Sequence, residues 1–279
     1  MKKVLRLAVA WLFVGVFSAS ISACGAMEKE KYSGISRDTE SSVLEESAVE
    51  EDGLAYVCSA DNSYYTVAGI GTCADVDIVI PSAYKGLPVK KIEKKAFANC
   101  VTLKSVVIGD EVTVVLDSAF ANCSGLASVT IGDSVTTIRD NAFANCVRLT
   151  SVVIPSGVTM LGSGAFYNCS ALASVTIPSG VESIEYLAFS NCVRLTSVEI
   201  AEGLKIIGES SFAGCGITRI VLPASITTIV EYAFFGCSGL TEIEFKGSVE
   251  EWLEIPKGIG WRGNVPATKV VCSDGEVAI

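Results

Sequence analysis

The stretch Leu149-Thr150-Ser151-Val152-Val153-Ile154-Pro155-Ser156-Gly157-Val158-Thr159-Met160-Leu161-Gly162-Ser163-Gly164-Ala165-Phe166-Tyr167-Asn168-Cys169 decides the fold. Its closing Phe-x-x-Cys step recurs at one constant interval, at Phe97/Cys100, Phe120/Cys123, Phe143/Cys146, Phe166/Cys169, Phe189/Cys192 and Phe212/Cys215. Phe234/Cys237 follows one position sooner. A fixed period of this length implies a solenoid, because one coil cannot bury its own apolar face and must stack on the next. Within the unit, Val152 and Ile154 point to one side and Val153 to the other, the alternation of a strand. Pro155, Pro178 and Pro223 end that strand, since proline has no N–H to give a ladder. Gly109 and Gly132 fill the same slot and turn the chain through a permissive backbone. A second apolar pair, Val158/Leu161, with its equivalents Val181/Ile184 and Ile226/Ile229, predicts a short strand on another face. Ala165-Phe166 then plugs the coil, and Asn168-Cys169 turns the corner.

Leu149, Val152 and Ile154 have the Leu-x-x-Leu-x-Leu spacing of a leucine-rich repeat. Leu103/Val106/Ile108, Leu172/Val175/Ile177 and Leu240/Ile243/Phe245 are among the sets that repeat it. The expected fold is a leucine-rich repeat solenoid, a right-handed β-rich superhelix with little helix. Its coils, seven or so, are each about 23 residues long, within the range of such repeats, and they stand between an N-terminal and a C-terminal cap. The expected boundaries are 1–23 for a signal peptide, 24–53 for a lipidated cysteine and acidic tether, and 54–95 for the N-terminal cap with a first partial repeat. Repeats follow over 96–245 and the C-terminal cap over 246–279.

The chain has 279 residues and a formal charge of −10, which argues against nucleic acid and anionic membrane surfaces as partners. Lys2, Lys3 and Arg6 precede the apolar run Leu7 to Phe17, and Ile21-Ser22-Ala23-Cys24 closes it with small residues before a cysteine. This ending resembles a bacterial lipobox, which implies cleavage before Cys24 and lipid on its sulfur. The competing reading is a transmembrane anchor, against which stand Arg6 and the small residues at the end. The expected location is outside the cytoplasm, lipid-anchored to the bacterial envelope and surface-exposed. Residues 25–53 hold nine acidic and three basic side chains and one aromatic, Tyr32. Such a composition buries too little apolar surface to offset chain entropy, so it reads as a tether, with an acidic interaction tail as the alternative.

Seven of the eleven cysteines fill one repeat slot. Seven is odd, and side-by-side parallel coils suit disulfide geometry poorly, so these read as reduced thiols acting as small hydrophobes. A zinc site would want paired Cys-x-x-Cys steps, and the sequence has none. Cys58 and Cys73 flank Tyr64-Tyr65-Thr66-Val67-Ala68-Gly69 and are candidates to pair across a hairpin.

The unit Leu-Thr-Ser-Val-Val-Ile-Pro-Ser-Gly-Val…Ala-Phe-Tyr-Asn-Cys resembles the BspA-type leucine-rich repeat of bacterial cell-surface proteins. The likeness runs over about residues 54–279, and includes an opening segment around Tyr65 to Val89 and a closing one from Phe245 to Gly275. The resemblance implies a surface-displayed adhesion or recognition protein. Ala201 and Lys246 depart from it where proline or glycine is usual, and Ser211 stands for alanine before Phe212.

The strand residues that point away from the core form the expected partner-binding face. Its first four coils carry small uncharged side chains, and its C-terminal end adds Glu199, Arg219, Val221, Glu242 and Glu244. These five are the candidate contacts for a protein ligand, with a monomer as the binding unit. A glycan-binding or structural envelope protein is the alternative. Tyr64, Tyr65 and Tyr84 are expected to be exposed near the N-terminal cap, Tyr186 and Tyr232 on the convex side. Trp252 and Trp261 are expected to seal the last coil, because terminal repeats need a cap. Asp110 and Asp133 occupy equivalent turns, but Ser156 and Ser179 follow where a calcium site would want more carboxylates. The chain has no histidine, which removes the commonest general base and the triads that depend on it. No cofactor, metal site or catalytic residue is expected, and the reading is not an enzyme.

Overall fold

The computed structural model describes residues 53–71 and 76–279. The signal segment, Cys24, the tether up to residue 52 and Cys73 lie outside the described residues.

The chain winds into a solenoid of about nine turns. Its inner ladder runs through Asp77–Ile80, Ser105–Ile108, Ser128–Thr130, Ser151, Ser174–Ile177, Ser197–Ile200, Arg219–Leu222, Glu242–Phe245 and Lys269–Cys272. Paired neighbours are parallel and in register, as in Ser174↔Ser197 to Ile177↔Ile200. About seven coils were expected. The further turns come from the caps, whose strands join the same ladder at longer spacings. Asp77 pairs with Ser105, and Ile243 with Val270. Both steps are wider than the repeat interval, so the Phe-x-x-Cys period passes over them. The second ladder holds the short strands Val114–Val115, Thr137–Ile138 and Met160–Leu161, and later Ser183–Ile184, Ile206–Ile207 and Thr228–Ile229.

Between the ladders each apolar slot becomes a column. The seven phenylalanine rings from Phe97 to Phe234 are fully buried and stack with centroids 4.9–5.6 Å apart and planes within 6°. Parallel sheet spacing sets that distance at about 4.8 Å. Each ring is worth about 1.5–3 kcal/mol of burial. The chain bends twice around every ring through left-handed residues. Asn141 (φ 55°) and Asn145 (φ 61°) flank Phe143 in this way. Asparagine tolerates that conformation better than other non-glycine residues, and here its amide does more. Asn122, Asn145 and Asn168 each donate through Nδ2 to Oδ1 of the asparagine one coil back, at 3.0, 2.8 and 2.9 Å.

The column cysteines carry free thiols. Six of them donate through Sγ to a phenylalanine carbonyl of the preceding coil at 3.1–3.3 Å, from Cys123 to Phe97 through Cys237 to Phe212. Cys58 also has a free thiol, which donates to Asn62 Oδ1 at 3.4 Å.

At the N-terminal cap Ala55–Cys58 runs antiparallel to Tyr65–Gly69, which lies parallel to Leu87–Ile92. The cap tyrosines are less open than expected. Tyr56 stacks on Tyr84 at 3.9 Å and Tyr65 meets Tyr84 edge-on at 4.9 Å, so the rings close the cap. Tyr64 is half-buried, with Lys91 Nζ 5.0 Å from its ring centre. At the other end the helix Val249–Glu254 starts on a capping box of Ser248 and Glu251. It buries Trp252 against Phe245 and Trp261. Trp261 stands edge-on to Phe234 at 6.4 Å and closes the ring column. Both tryptophans therefore do the sealing the sequence suggested. Tyr186 and Tyr232 are exposed, as expected.

Candidate functional site: a seam in the inner ladder

The residue after each inner strand controls how that strand joins the coil before it. Gly109, Ala201 and Lys246 donate their N–H groups to Ile80, Ile177 and Leu222 carbonyls at 2.9, 3.1 and 2.9 Å. Their strands pair over four residues. Pro155, Pro178 and Pro223 have no N–H to give. The strand before Pro155 touches its predecessor through the single bridge Ser128↔Ser151, and the one before Pro178 through Ser151↔Ser174. Before Pro223 the ladder opens fully. Among the described residues no backbone pairing joins Ser197–Ile200 to Arg219–Leu222. The short coil falls at this step too. One residue, Gly216, separates Cys215 from Ile217, where Val193 and Arg194 separate Cys192 from Leu195.

A cleft of about 420 Å³ lies at this seam, lined by Thr196 to Ile200, Arg219, Val221 and Lys246. Charged side chains rim it. Arg219 Nε is 3.4 Å from Glu242 Oε2, and its Nη2 donates to Glu244 Oε2. Lys246 reaches back to Glu202 at 3.4 Å, and Thr176 donates to Glu199 at 3.4 Å. These pairs are exposed, so each adds at most about 1 kcal/mol to the fold. They are free to be exchanged for contacts with a partner.

Of the residues singled out by sequence, Glu199, Arg219 and Val221 line the cleft itself. Glu242 and Glu244 hold Arg219 from the next coil. Lys246 and Glu202 were missed. Their signal was present in the sequence, since Lys246 stands in the slot that Pro223 fills one coil earlier. Asp110 takes its place in a turn, its N–H donating to Ser82 Oγ at 3.1 Å. Among the described residues no group of three or more His, Cys, Asp or Glu is arranged to hold a metal ion.

Stacked columns joined by parallel ladders define a leucine-rich repeat solenoid. A family profile described as BspA type Leucine rich repeat region matches in six copies over residues 90–218 and 159–254. The chain belongs to the BspA-type leucine-rich repeat family. It is similar to a leucine-rich repeat protein of T. pallidum, with 26% identity over 68% of this chain and 89% of that one and a TM-score of 0.51. A leucine-rich repeat protein of Bacteroides ovatus is 23% identical over 80% of this chain and 70% of that one, with a TM-score of 0.45. One from Bacteroides capillosus is 27% identical over 47% and 97%, with a TM-score of 0.41. A comparison with curated proteins found no match.

Proposed function

We propose that this chain is a lipid-anchored, non-catalytic scaffold of the bacterial cell envelope that docks a protein partner on its inner face, at the seam. The observation that carries this reading is the cleft at the open ladder step, rimmed by ion pairs that the fold does not need. Backbone groups left unpaired on both sides of the step offer hydrogen bonds that the steps paired over four residues have already spent. Glu199, Glu202, Glu242 and Glu244 outnumber Arg219 and Lys246, so the surface suits a basic patch on the partner. The lipobox-like ending at Cys24 supports the anchor, which would hold the solenoid at the membrane with its inner face free to bind. The absence of histidine and the openness of the face support a role without catalysis.

Binding of the purified chain to a panel of matrix proteins and polysaccharides tests the reading by surface plasmon resonance. A protein ligand should bind, more weakly at high salt, and Glu199→Lys should weaken it at least tenfold. If only polysaccharides bind, the glycan alternative replaces it. That alternative rests on the exposed convex pair Tyr232 and Phe235, whose rings meet edge-on at 5.8 Å. For the anchor, Cys24→Ser should move the protein from the membrane fraction to the soluble one.

A further inference from the structure

The chain-wide charge of −10 speaks against an anionic surface as a partner, but that charge is unevenly spread. Residues 77–104 carry Lys85, Lys90, Lys91, Lys94, Lys95 and Lys104 against Asp77 and Glu93. From residue 105 onward acidic side chains outnumber basic ones by eighteen to nine. The repeat slots show the same break. Lys94 gives way to Asp117 and Asp140 in the next two coils, and Lys104 to Ala127 and Thr150. These lysines follow one turn of the solenoid around its perimeter. Lys90 and Lys91 stand in the strand Leu87–Ile92 of the second ladder, Lys94 and Lys95 in the bend before Phe97, and Lys104 just ahead of the inner strand Ser105–Ile108. Lys91 leans toward the N-terminal cap, its Nζ over the Tyr64 ring. Lys90 is engaged by Glu111 of the next coil. Lys94, Lys95 and Lys104 are exposed, and among the described residues no carboxylate pairs with their ammonium groups.

We propose, building on the lipid-anchor reading above, that this basic first turn is a docking surface for the anionic phospholipid headgroups of the membrane that holds the chain. Residues 25–52 join Cys24 to the N-terminal cap, so the lysine turn belongs to the end of the solenoid nearest the anchor along the chain. Ammonium groups are drawn to an anionic leaflet within a screening length of about 10 Å at 0.1 M salt. The carboxylates of the later coils are repelled by the same surface. Both forces act in one direction, turning the basic end toward the membrane and the acidic seam away from it, where a partner can reach it. Net charge misleads here because screening makes the attraction local. The rival occupant by charge is the acidic stretch 25–52 of the chain itself. Lysines spaced around a whole turn match a plane of headgroups better than they match one chain segment.

Vesicle flotation tests this with the full chain carrying Cys24→Ser, which cannot take the lipid. The vesicles are phosphatidylcholine alone, or phosphatidylcholine with an equal part of phosphatidylglycerol. Binding to the anionic vesicles should exceed binding to the neutral ones at least tenfold. It should vanish at about 1 M salt, where the screening length falls to about 3 Å. This salt dependence needs no further variant and stands even if a substitution harms folding. Adding Lys94→Glu with Lys104→Glu should weaken binding to the anionic vesicles at least tenfold. Arg148→Glu with Arg194→Glu makes the same change in charge at exposed sites elsewhere on the solenoid, and should keep binding within about twofold. Residues 1–23 are common to all three chains, so their contribution cancels. Equal binding to both kinds of vesicle overturns the proposal. So does full binding in the lysine variant, or an equal loss in the two double variants. Membrane fractionation of the wild-type chain at high salt reads the anchor alone, so a failure of the anchor and a failure of the lysine turn are told apart.

Discussion

Ser211 is the clearest misfit at the residue scale. It fills the alanine slot before the ring, is fully buried, and its hydroxyl meets no partner. Its equivalents Ala119, Ala142, Ala165, Ala188 and Ala233 are buried without a polar atom to satisfy. An unsatisfied buried hydroxyl costs about 1–3 kcal/mol. Ser211→Ala should therefore stabilise the chain by about 1 kcal/mol, read as a higher urea midpoint at unchanged slope. A lower midpoint would mean that the hydroxyl has a partner after all. Asn145 makes the opposite case. Gly214 and Gly236 adopt the same left-handed bend, so glycine fits the slot. Asn145→Gly keeps the backbone and removes two amide bonds, to Asn122 and from Asn168. A loss of about 1–2 kcal/mol follows from net hydrogen-bond values, and a change under about 0.3 kcal/mol in chemical melts would show the amide ladder to be ornamental.

At the scale of the element, the strand-ending slot decides pairing. Ala201 gives its N–H to Ile177, and the two strands it serves pair over four residues. Ala201→Pro removes that donor and should loosen the step as Pro155 and Pro178 do theirs. The expected cost is about 1–3 kcal/mol. Amide exchange checks it, since protection should fall at Ser197–Ile200 and stay unchanged at Asp77–Ile80. Uniform protection at both would separate proline from fraying. The same slot shows where sequence reading stopped short. Proline was legible as the end of its own strand. Its effect on the neighbour was not, because the carbonyl it leaves unserved belongs to the coil before, and the consequence exists only once coils are stacked. The charged cluster from Glu199 to Glu244 was legible by alternation, while the cleft it surrounds depends on that unserved ladder.

For the whole molecule, the buried thiol column makes stability depend on alkalinity. Burial pushes Cys146 and Cys192 up to about 12 and Cys237 to about 11, from the ordinary thiol value of 9.0. The unfolded chain ionises these thiols near pH 9, and the folded chain holds them neutral. Their contribution is thus fully present below pH 9 and is lost as pH rises toward 12. The melting temperature should fall through that window, and less steeply in the double variant Cys146→Ala, Cys192→Ala. Matching slopes in parent and variant would assign the fall to other groups. The periodic columns, both tryptophan seals and the solenoid itself were legible from the repeat. The extra turns were not, because the cap strands at Asp77 and Lys269 join the ladder at irregular spacing while obeying the same hydrogen-bond geometry.

The last inner strand, Lys269–Cys272, is met by a strand of opposite direction, Gly275–Ala278, with Lys269 and Glu276 linked across it at 2.7 Å. Every earlier coil offers the following one a surface of its own polarity, which is also an invitation to a second molecule to continue the pile. The reversed strand withdraws that invitation, because a fresh coil arriving in register would find donors and acceptors in the wrong order. The reversed strand thus ends the parallel order of the ladder at that end of the stack.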